Sequence, residues 1–393
     1  MESEFLSKVE DNAVIRMWSE KSQLEKAQWN DEVKQLFYYN YGDLPYLLDI
    51  NVDEHLFRAL AQFWNSAYSC FTFGKVDMVP TVEEYTTLLR CPRIQVDKVY
   101  SRTANVSTFT KKLTRMTGMS EQWILAPPDT KKKVDVFALS MYGLVIFPKA
   151  LGHIDEAVTD LFDQLDRRVT PVPAILAETF RSLSVCRRTR EGRFVGCAQL
   201  LLVWFYSHFW KVDKISYQVF SENYSPLKEL AATPRRNDIT EEKWMTILHN
   251  LRDEDILYRC GDFDWVPLLG VWGAVGYAPL LVLRQYRSRQ FVPATQGLVE
   301  CEFSYKGNNY RGKIREMSNA WKRIHRMKRI TVGATTTPEY HGWRSKRIDD
   351  NIPKPREECG RSIEEHLRIV SSELEIIKQD FEKRSSEFGK RIE

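Results

Sequence analysis

The cysteines and histidines are too widely spaced in the sequence to suggest a disulfide framework or a shared metal site. Its seven cysteines are scattered over 393 residues, and no two of them form a C-x-x-C pair. The seven histidines form no H-E-x-x-H motif, and none lies three or four residues from another histidine or a cysteine. Disulfide scaffolds and structural metal sites both depend on closely spaced ligands. We therefore expect no disulfide framework, no metal site and no bound cofactor.

The common catalytic and nucleotide-binding motifs are also missing. Gly270, Gly273 and Gly276 have the spacing G-x-x-G-x-x-G, which lacks the close first pair of the dinucleotide fingerprint. Two acids in "GDFDWVP", Asp262 and Asp264, leave one alternative, a hydrolase or decayed transposase that uses them as an acid–base pair. Short acidic turns of this kind are more often caps and loop anchors. We therefore expect a protein without enzymatic activity and without a small-molecule substrate.

One long uncharged run stands out, from Trp265 to Leu283. Its 19 residues would extend about 28 Å as a helix, which is just enough to cross a bilayer. Pro267 and Pro279 would remove backbone donors that lipid cannot replace. We expect a buried helix or a pair of buried loops and no membrane span. Membrane association through residues 265–283 is the alternative.

The N-terminal residues lack the basic flank and apolar stretch of a secretory signal. Together with the unpaired pattern of the cysteines, this predicts an intracellular, reducing compartment.

Most of the remaining chain has hydrophobic residues at helical spacing. Leu56, Leu60, Phe63 and Trp64 fall on one helical face, and the stretch "FVGCAQLLLVWFYSHFW" is apolar nearly all round, which is typical of a central helix. Strict alternation is scarce, and the best hairpin candidate is "CEFSYKGNNYRGKI". The pattern predicts a mainly α fold, a single large helical domain with at most a few short strands.

Two helix starts have recognisable caps. Thr81, with Glu84 three residues later, has the spacing of a capping box, and Thr240 precedes a helix with a periodic apolar face.

Positive charge is concentrated after residue 310. Residues 311–361 contain fourteen basic and six acidic residues, an excess of eight, whereas the whole chain carries a net charge of +4. Within this region Ile314, Met317 and Trp321 share one face of an amphipathic helix whose other faces are basic. Such a helix can contact nucleic acid or another anion, or it can be a solvated surface helix. The candidate anion-contacting residues are Lys322, Arg323, Arg326, Lys328 and Arg329.

The last segment has a heptad pattern of apolar residues. Steps of four and three residues continue over roughly four heptads, with Arg384 as an interruption. A coiled coil is favoured over a single amphipathic helix, and self-association is expected through Leu367, Val370, Leu374 and Ile377. The chain is thus divided into a helical domain at 1–300, a basic extension with an amphipathic helix at 301–361 and a coiled-coil segment at 362–393.

Two passages resemble the plant mobile domain, a retroelement-associated family to which the label "aminotransferase-like" is sometimes attached. They are "FWNSAYSCFTFGKVDMVPTVEEYTTLLRCP" and "VPLLGVWGAVGYAPLLVLRQY". The sequence most resembles a plant-specific domain of unknown function that is often followed by a coiled coil. The resemblance covers roughly residues 30–300. Residues that carry it are Phe71, Phe73, Gly74, Asp77, Pro80, Thr81, Glu83, Tyr85, Leu88, Leu89, Gly273, Tyr277, Pro279, Arg284 and Gln285.

The resemblance implies a mainly helical plant protein of transposable-element origin, and it favours the nucleus over the cytoplasm. It supplies no catalytic residues, and no lysine here has a pyridoxal-phosphate context. The expected function is a non-enzymatic protein-interaction module. Its partners would be other proteins or a second copy of itself through the coiled coil, with nucleic acid or chromatin as a further possibility.

Overall fold

The computed structural model describes the helical body of the chain, two small sheets and the beginning of the basic region. The described residues are 26–74, 76–90, 98–101, 130–149, 154–189, 194–209, 225–233, 238–251, 266–277, 302–306 and 310–321, with Ser22, Gly342 and Ser345 in addition.

Helices make up most of the described residues, so the predicted mainly α fold is confirmed. The coiled-coil helix predicted at 362–393 lies outside them. Two shorter helical segments are a 3-10 helix at Leu44–Asp49 and a π-helix at Met141–Ile146. The α-helices are α1 (Asp31–Tyr41), α2 (Glu54–Gln62), α3 (Val82–Leu89), α4 (Thr130–Ser140), α5 (Glu156–Leu165), α6 (Val172–Thr189), α7 (Ala198–Phe209), α8 (Pro226–Ala232), α9 (Glu241–His249) and α10 (Tyr310–Trp321).

The strands form two antiparallel sheets, each with its strands in chain order. The first sheet contains β1 (Trp64–Asn65), β2 (Cys70–Phe73) and β3 (Val76–Met78). The second contains β4 (Val266–Leu269), β5 (Gly273–Tyr277) and β6 (Phe303–Ser304). Helix α6 contacts β1 of the first sheet and both β4 and β5 of the second. One long helix therefore supports both sheets.

Both predicted helix caps are confirmed. The Thr81 hydroxyl accepts from the Glu84 backbone N–H at 3.2 Å, and the Glu84 carboxylate accepts from the Thr81 N–H at 2.9 Å. This reciprocal pair satisfies two donors that the first turn of α3 would otherwise leave without partners. Thr240 caps α9 by accepting from the Lys243 N–H at 3.4 Å.

The main core lies between the helices and the first sheet. Helix α7 is buried on nearly all sides, as its apolar sequence predicts. Trp64 and Phe71 are essentially inaccessible and pack edge to face, with their ring centroids 5.0 Å apart. A smaller apolar cluster joins the second sheet to α10, and it contains Leu269, Ala274, Tyr305, Ile314 and Met317.

The described part of the run at 265–283 is largely buried, as predicted, but the predicted helix or loop pair is wrong, because this part forms two strands. Val266 pairs with Tyr277 and Leu269 with Ala274 in an antiparallel hairpin, so the run is not a continuous helix. Pro267 lies in β4, at the edge of its sheet, where a missing N–H is tolerated better than in a helix. Among the described residues, no helix is long and apolar enough to cross a membrane.

Two further local predictions are wrong. Phe63 and Trp64 do not continue the helical face of Leu56 and Leu60, because α2 ends at Gln62 and Trp64 starts β1. The hairpin predicted at 301–314 is replaced by β6, which pairs with β5, and by helix α10. In both places, packing against distant parts of the chain overrides the local pattern.

Candidate functional site

Helix α10 has one apolar side and one basic side, as the sequence predicts for this region. Ile314 and Met317 are buried in the cluster against the second sheet. Arg311 and Arg315, four residues apart, are exposed on the same side of the helix, and we refer to these two residues as the basic face. Lys313 is exposed on another side, where its ammonium lies 5.2 Å from the centroid of the Phe303 ring. The basic face is therefore held on a helix whose orientation is fixed by apolar packing.

Most of the residues predicted for a site lie outside the described part of the chain. This applies to Asp262 and Asp264, and the structure describes only the backbone of Trp321, the last residue of α10. The remaining undescribed candidates are Lys322, Arg323, Arg326, Lys328 and Arg329 for anion contact, and Leu367, Val370, Leu374 and Ile377 for self-association.

The tip of the β4–β5 hairpin is buried, and its backbone polar groups find partners inside the protein. The Gly270 N–H donates to the Gly273 carbonyl at 2.7 Å, and the Tyr305 hydroxyl donates to the Gly270 carbonyl at 3.0 Å. The Trp272 carbonyl accepts from the Tyr305 N–H at 2.9 Å, and the Trp272 N–H donates to the Glu178 carboxylate at 2.8 Å. These contacts replace the water that a surface turn would use.

Buried Glu178 and partly buried Arg181 form an ion pair on α6, and we call these two residues the clasp. The Arg181 guanidinium donates to the other Glu178 carboxylate oxygen at 2.7 Å and to the Ser304 hydroxyl at 2.9 Å. Desolvation raises the pKa of Glu178, whereas Arg181 and the backbone N–H groups of the hairpin act in the opposite direction. The clasp thus joins α6 to β6 as well as to the hairpin tip.

Two glycines make room for the clasp. A Cβ at Gly270 would lie 2.1 Å from the nearer Glu178 carboxylate oxygen. A Cβ at Gly273 would lie 2.3 Å from the Phe303 carbonyl and 2.4 Å from the Arg181 guanidinium carbon. At these two positions a charged side chain and a strand approach the backbone more closely than a Cβ would allow.

A second cation, Lys149, approaches the hairpin tip from the segment that follows the π-helix. The Lys149 ammonium bonds to Asp155 at 2.8 Å and lies 4.7 Å from the centroid of the Trp272 ring. Burial would raise the pKa of Asp155, but the hydrogen bonds from Lys149 and the Ala157 N–H hold it below its usual range. Asp155 also caps α5 through the Ala157 N–H at 2.9 Å.

A separate buried carboxylate, Glu84, links two helices of the main core. Besides its capping contacts, it accepts from the Trp204 indole N–H at 2.8 Å, and the His208 Nε2 atom lies 3.1 Å from its second oxygen. Trp204 and His208 are both buried on α7. These contacts tie the start of α3 to α7 and leave the carboxylate enclosed by the protein.

Comparison with protein families identifies the type of domain. The family described as Domain of unknown function (DUF7745) matches residues 23–134 and 121–349. The chain belongs to this family. Comparison with curated proteins and with solved structures gives no match. The DUF7745 match extends over both sheets and α10, so the basic face lies within the part of the chain that defines the family.

The family assignment confirms the expected domain of unknown function. The finer resemblance to the plant mobile domain and the expected plant origin stay predictions. Sequence reasoning did not identify the clasp of this DUF7745 domain. Its signal is a Glu–Arg pair spaced by three residues within the largely apolar "PAILAETFRSLSV", a spacing that places both side chains on one side of α6.

Among the described residues, the titratable groups form no metal-binding cluster, and the Cys197 thiol has a raised pKa. No group of three or more His, Cys, Asp or Glu side chains suitable for a metal ion occurs among the residues that the structure places. Burial raises the pKa of the Cys197 thiol to about 12, whereas a nucleophilic cysteine requires a lowered pKa. The basic face of α10 is exposed and lies directly before the basic residues predicted to contact an anion.

Proposed function

We propose that this DUF7745 protein is a non-enzymatic interaction module of transposable-element origin. It contacts nucleic acid through α10 and the basic residues that follow, and it self-associates through residues 362–393. The resemblance to retroelement-associated proteins supports the origin and a nuclear location.

The observation that carries the proposal is the arrangement of α10. Its apolar residues Ile314 and Met317 are occupied by packing, while the basic face is exposed. In the sequence, the basic pattern continues directly beyond Trp321 with five more cations, Lys322, Arg323, Arg326, Lys328 and Arg329. Several cations on or near one anchored helix suit a phosphate backbone, since each phosphate contact releases condensed counterions.

The roles of the buried carboxylates support a non-enzymatic module. Glu178 accepts from Arg181 and from the hairpin backbone, and Glu84 accepts from a cap and an indole. Both side chains are enclosed, at 3% and 8% exposure. Their hydrogen bonds explain their burial without any substrate.

A nucleic-acid shift assay over a salt series tests the proposal. Replacing all five cations after Trp321 by glutamine should weaken binding at low salt by at least tenfold. It should also reduce the slope of log K against log salt by about 4, as expected for the loss of five phosphate contacts. The matched control replaces five exposed cations of the helical body, and these are Lys133, Arg167, Arg168, Lys228 and Lys243. Equal losses in the two variants would overturn the assignment to this region, because general charge would then explain binding.

Light scattering on the same full-length preparations tests self-association. Replacing Leu367 and Leu374 by aspartate should convert an oligomer into a monomer, because charge at the seam of a coiled coil opposes helix pairing. A wild-type chain that is already monomeric at tens of micromolar would remove this part of the proposal.

A further inference from the structure

The second sheet and α10 carry two aromatic side chains that are only partly buried. Phe303 lies in β6, and Tyr310 is the first residue of α10. Both lie at the margin of the small apolar cluster and pack against its buried members. The buried Tyr305 ring contacts both of them, with centroids 5.9 Å from Phe303 and 6.0 Å from Tyr310. One buried ring therefore holds two outer rings near each other.

A lysine covers one face of the Phe303 ring. The Lys313 ammonium lies 5.2 Å from the centroid of that ring, and Lys313 is itself exposed. A cation in this position interacts with the electron-rich face of the ring. That face is therefore covered by a long surface side chain, which can move aside, and not by the core.

The chain around the two rings is positively charged. Residues 306–316 contain four cations and one acid, all exposed, and these are Lys306, Arg311, Lys313, Arg315 and Glu316. A further acid, Glu302, directly precedes Phe303, and its carboxylate accepts from Arg188 at 2.5 Å. Its charge is thus balanced within the protein. The remaining surplus of cations suits an anionic partner.

Rings combined with cations suit a nucleic-acid strand whose bases are unpaired. Each base has a flat face that can stack on an aromatic side chain, whatever the identity of the base. The phosphates between the bases pair with lysine and arginine. In a duplex the bases are already stacked on one another, so a duplex would use the cations but not the two rings. An acidic peptide would likewise use only the cations.

We propose that Phe303 and Tyr310 stack on unpaired bases, and that Lys313 moves from the Phe303 ring to a phosphate of the same strand. The partner is a single-stranded nucleic acid, either DNA or RNA. Lys306 and the basic face supply further phosphate contacts. This inference rests on the proposed function, because it needs the nucleic-acid contact assigned to α10, and it adds the form of nucleic acid that is bound.

Replacement of the two rings tests the stacking. Fluorescence anisotropy measures binding of the full chain to an oligothymidylate and an oligouridylate of about 20 nucleotides and to a duplex of the same length. Phe303→Leu combined with Tyr310→Leu keeps apolar side chains against the cluster. It should weaken binding to both single strands by about tenfold or more, as expected for two lost stacking contacts, and change duplex binding by less than about twofold.

The salt dependence separates the rings from the cations. The double leucine variant removes no charge, so the slope of log K against log salt should stay the same for single strands. Lys313→Gln should reduce that slope by about 0.7, as expected for one phosphate contact on a single strand. Lys133→Gln, which changes an exposed lysine of α4, is the matched control and should leave the slope unchanged. Equal slopes for the two lysine variants would overturn the role of Lys313.

Conservative variants and a crosslink control for changes in folding. Phe303→Tyr and Tyr310→Phe keep the rings and should bind single strands within about twofold of wild type. Tyr39→Leu removes a 56% exposed tyrosine of α1 and should have as little effect. In the unaltered protein, irradiation of a bound strand that contains 5-iodouracil should place crosslinks on Phe303 or Tyr310, as located by mass spectrometry. Crosslinks confined to other residues would overturn the stacking.

The outcomes also separate this inference from the proposed function. If the chain binds none of the three nucleic acids, both fail. If single-strand affinity survives the loss of both rings, or if duplex affinity falls equally, the stacking fails and the contact through the cations stands. Competition by polyglutamate as effective as that by the single strand would likewise overturn the stacking, because charge alone would then explain binding.

Discussion

The two sheets have the same antiparallel strand order but are stabilised differently. In the first sheet, Trp64 stacks on Phe180 of α6 with ring centroids 5.1 Å apart, and its indole N–H donates to Ser184 at 3.0 Å. In the second, the same helix presents the clasp, whose charged groups bond to the hairpin tip and to β6. One helix thus uses aromatic packing for one sheet and a partly buried ion pair for the other.

The difference predicts how each sheet responds to change. Aromatic packing depends on shape and buried apolar area, so it should be sensitive to truncation and insensitive to salt. The clasp depends on completed hydrogen bonds and on glycines that admit charged groups, so it should be sensitive to added atoms and to the loss of one partner.

Truncation in the first sheet should have the largest effect on stability. Trp64→Ala removes a side chain that is 1% exposed and should lower the free energy of unfolding by about 3–5 kcal/mol. Trp64→Phe, the matched control, keeps a ring and should lose roughly 1–2 kcal/mol. Urea unfolding followed by circular dichroism measures both. Similar losses for the two variants would mean that the indole hydrogen bond, rather than packing, holds this sheet.

Adding one methyl group at the hairpin tip should have the next largest effect. Gly270→Ala forces its Cβ against Glu178 and should cost about 1–3 kcal/mol. Gly342→Ala is the control, because a Cβ there meets nothing within 4 Å. The cost of Gly270→Ala should fall clearly when Glu178 is also replaced by alanine, since the clash partner is then absent. An additive double variant would contradict the close contact.

The smallest effect is expected at Asp155, which positions Lys149 beside Trp272. Asp155→Asn keeps a capping side chain but removes the ion pair, and because Lys149 is half-exposed the loss should be about 0.5 kcal/mol or less at pH 7. Since folding lowers the pKa of Asp155, its contribution is present above its ordinary value of 3.8 and is lost as the pH falls through the folded value. Thermal unfolding should therefore separate wild type from variant at pH 7 but not near pH 2. A difference that persists in acid would point to the cap instead.

Local signals were sufficient for the parts of the fold that depend on neighbouring residues. The capping box at Thr81 and Glu84 was predictable, because both partners lie within one helical turn. The central helix α7 was predictable from its uniformly apolar sequence. The apolar side of α10 was also predictable, because Ile314 and Met317 have helical spacing.

The run at 265–283 shows which features cannot be predicted from neighbouring residues alone. Its prolines argued against a membrane span, yet nothing within it indicated that it would form a hairpin whose tip packs against α6. That arrangement needs Glu178 and Arg181, which lie about ninety residues earlier, and Tyr305, which lies about thirty-five residues later. The same limit applies to Glu84, whose partner Trp204 is 120 residues away.

The amino-acid sequence alone predicted a mainly helical fold with defined caps and a basic amphipathic helix, because these depend on periodicity and composition. The type of domain was indicated by the resemblance of two passages to a known family. The placing of the hairpin tip on the clasp, the enclosure of Glu84 and the contact of Ser225 with Asp43 required the folded chain. Each of them joins groups that are distant in sequence and that burial forces to find hydrogen-bond partners.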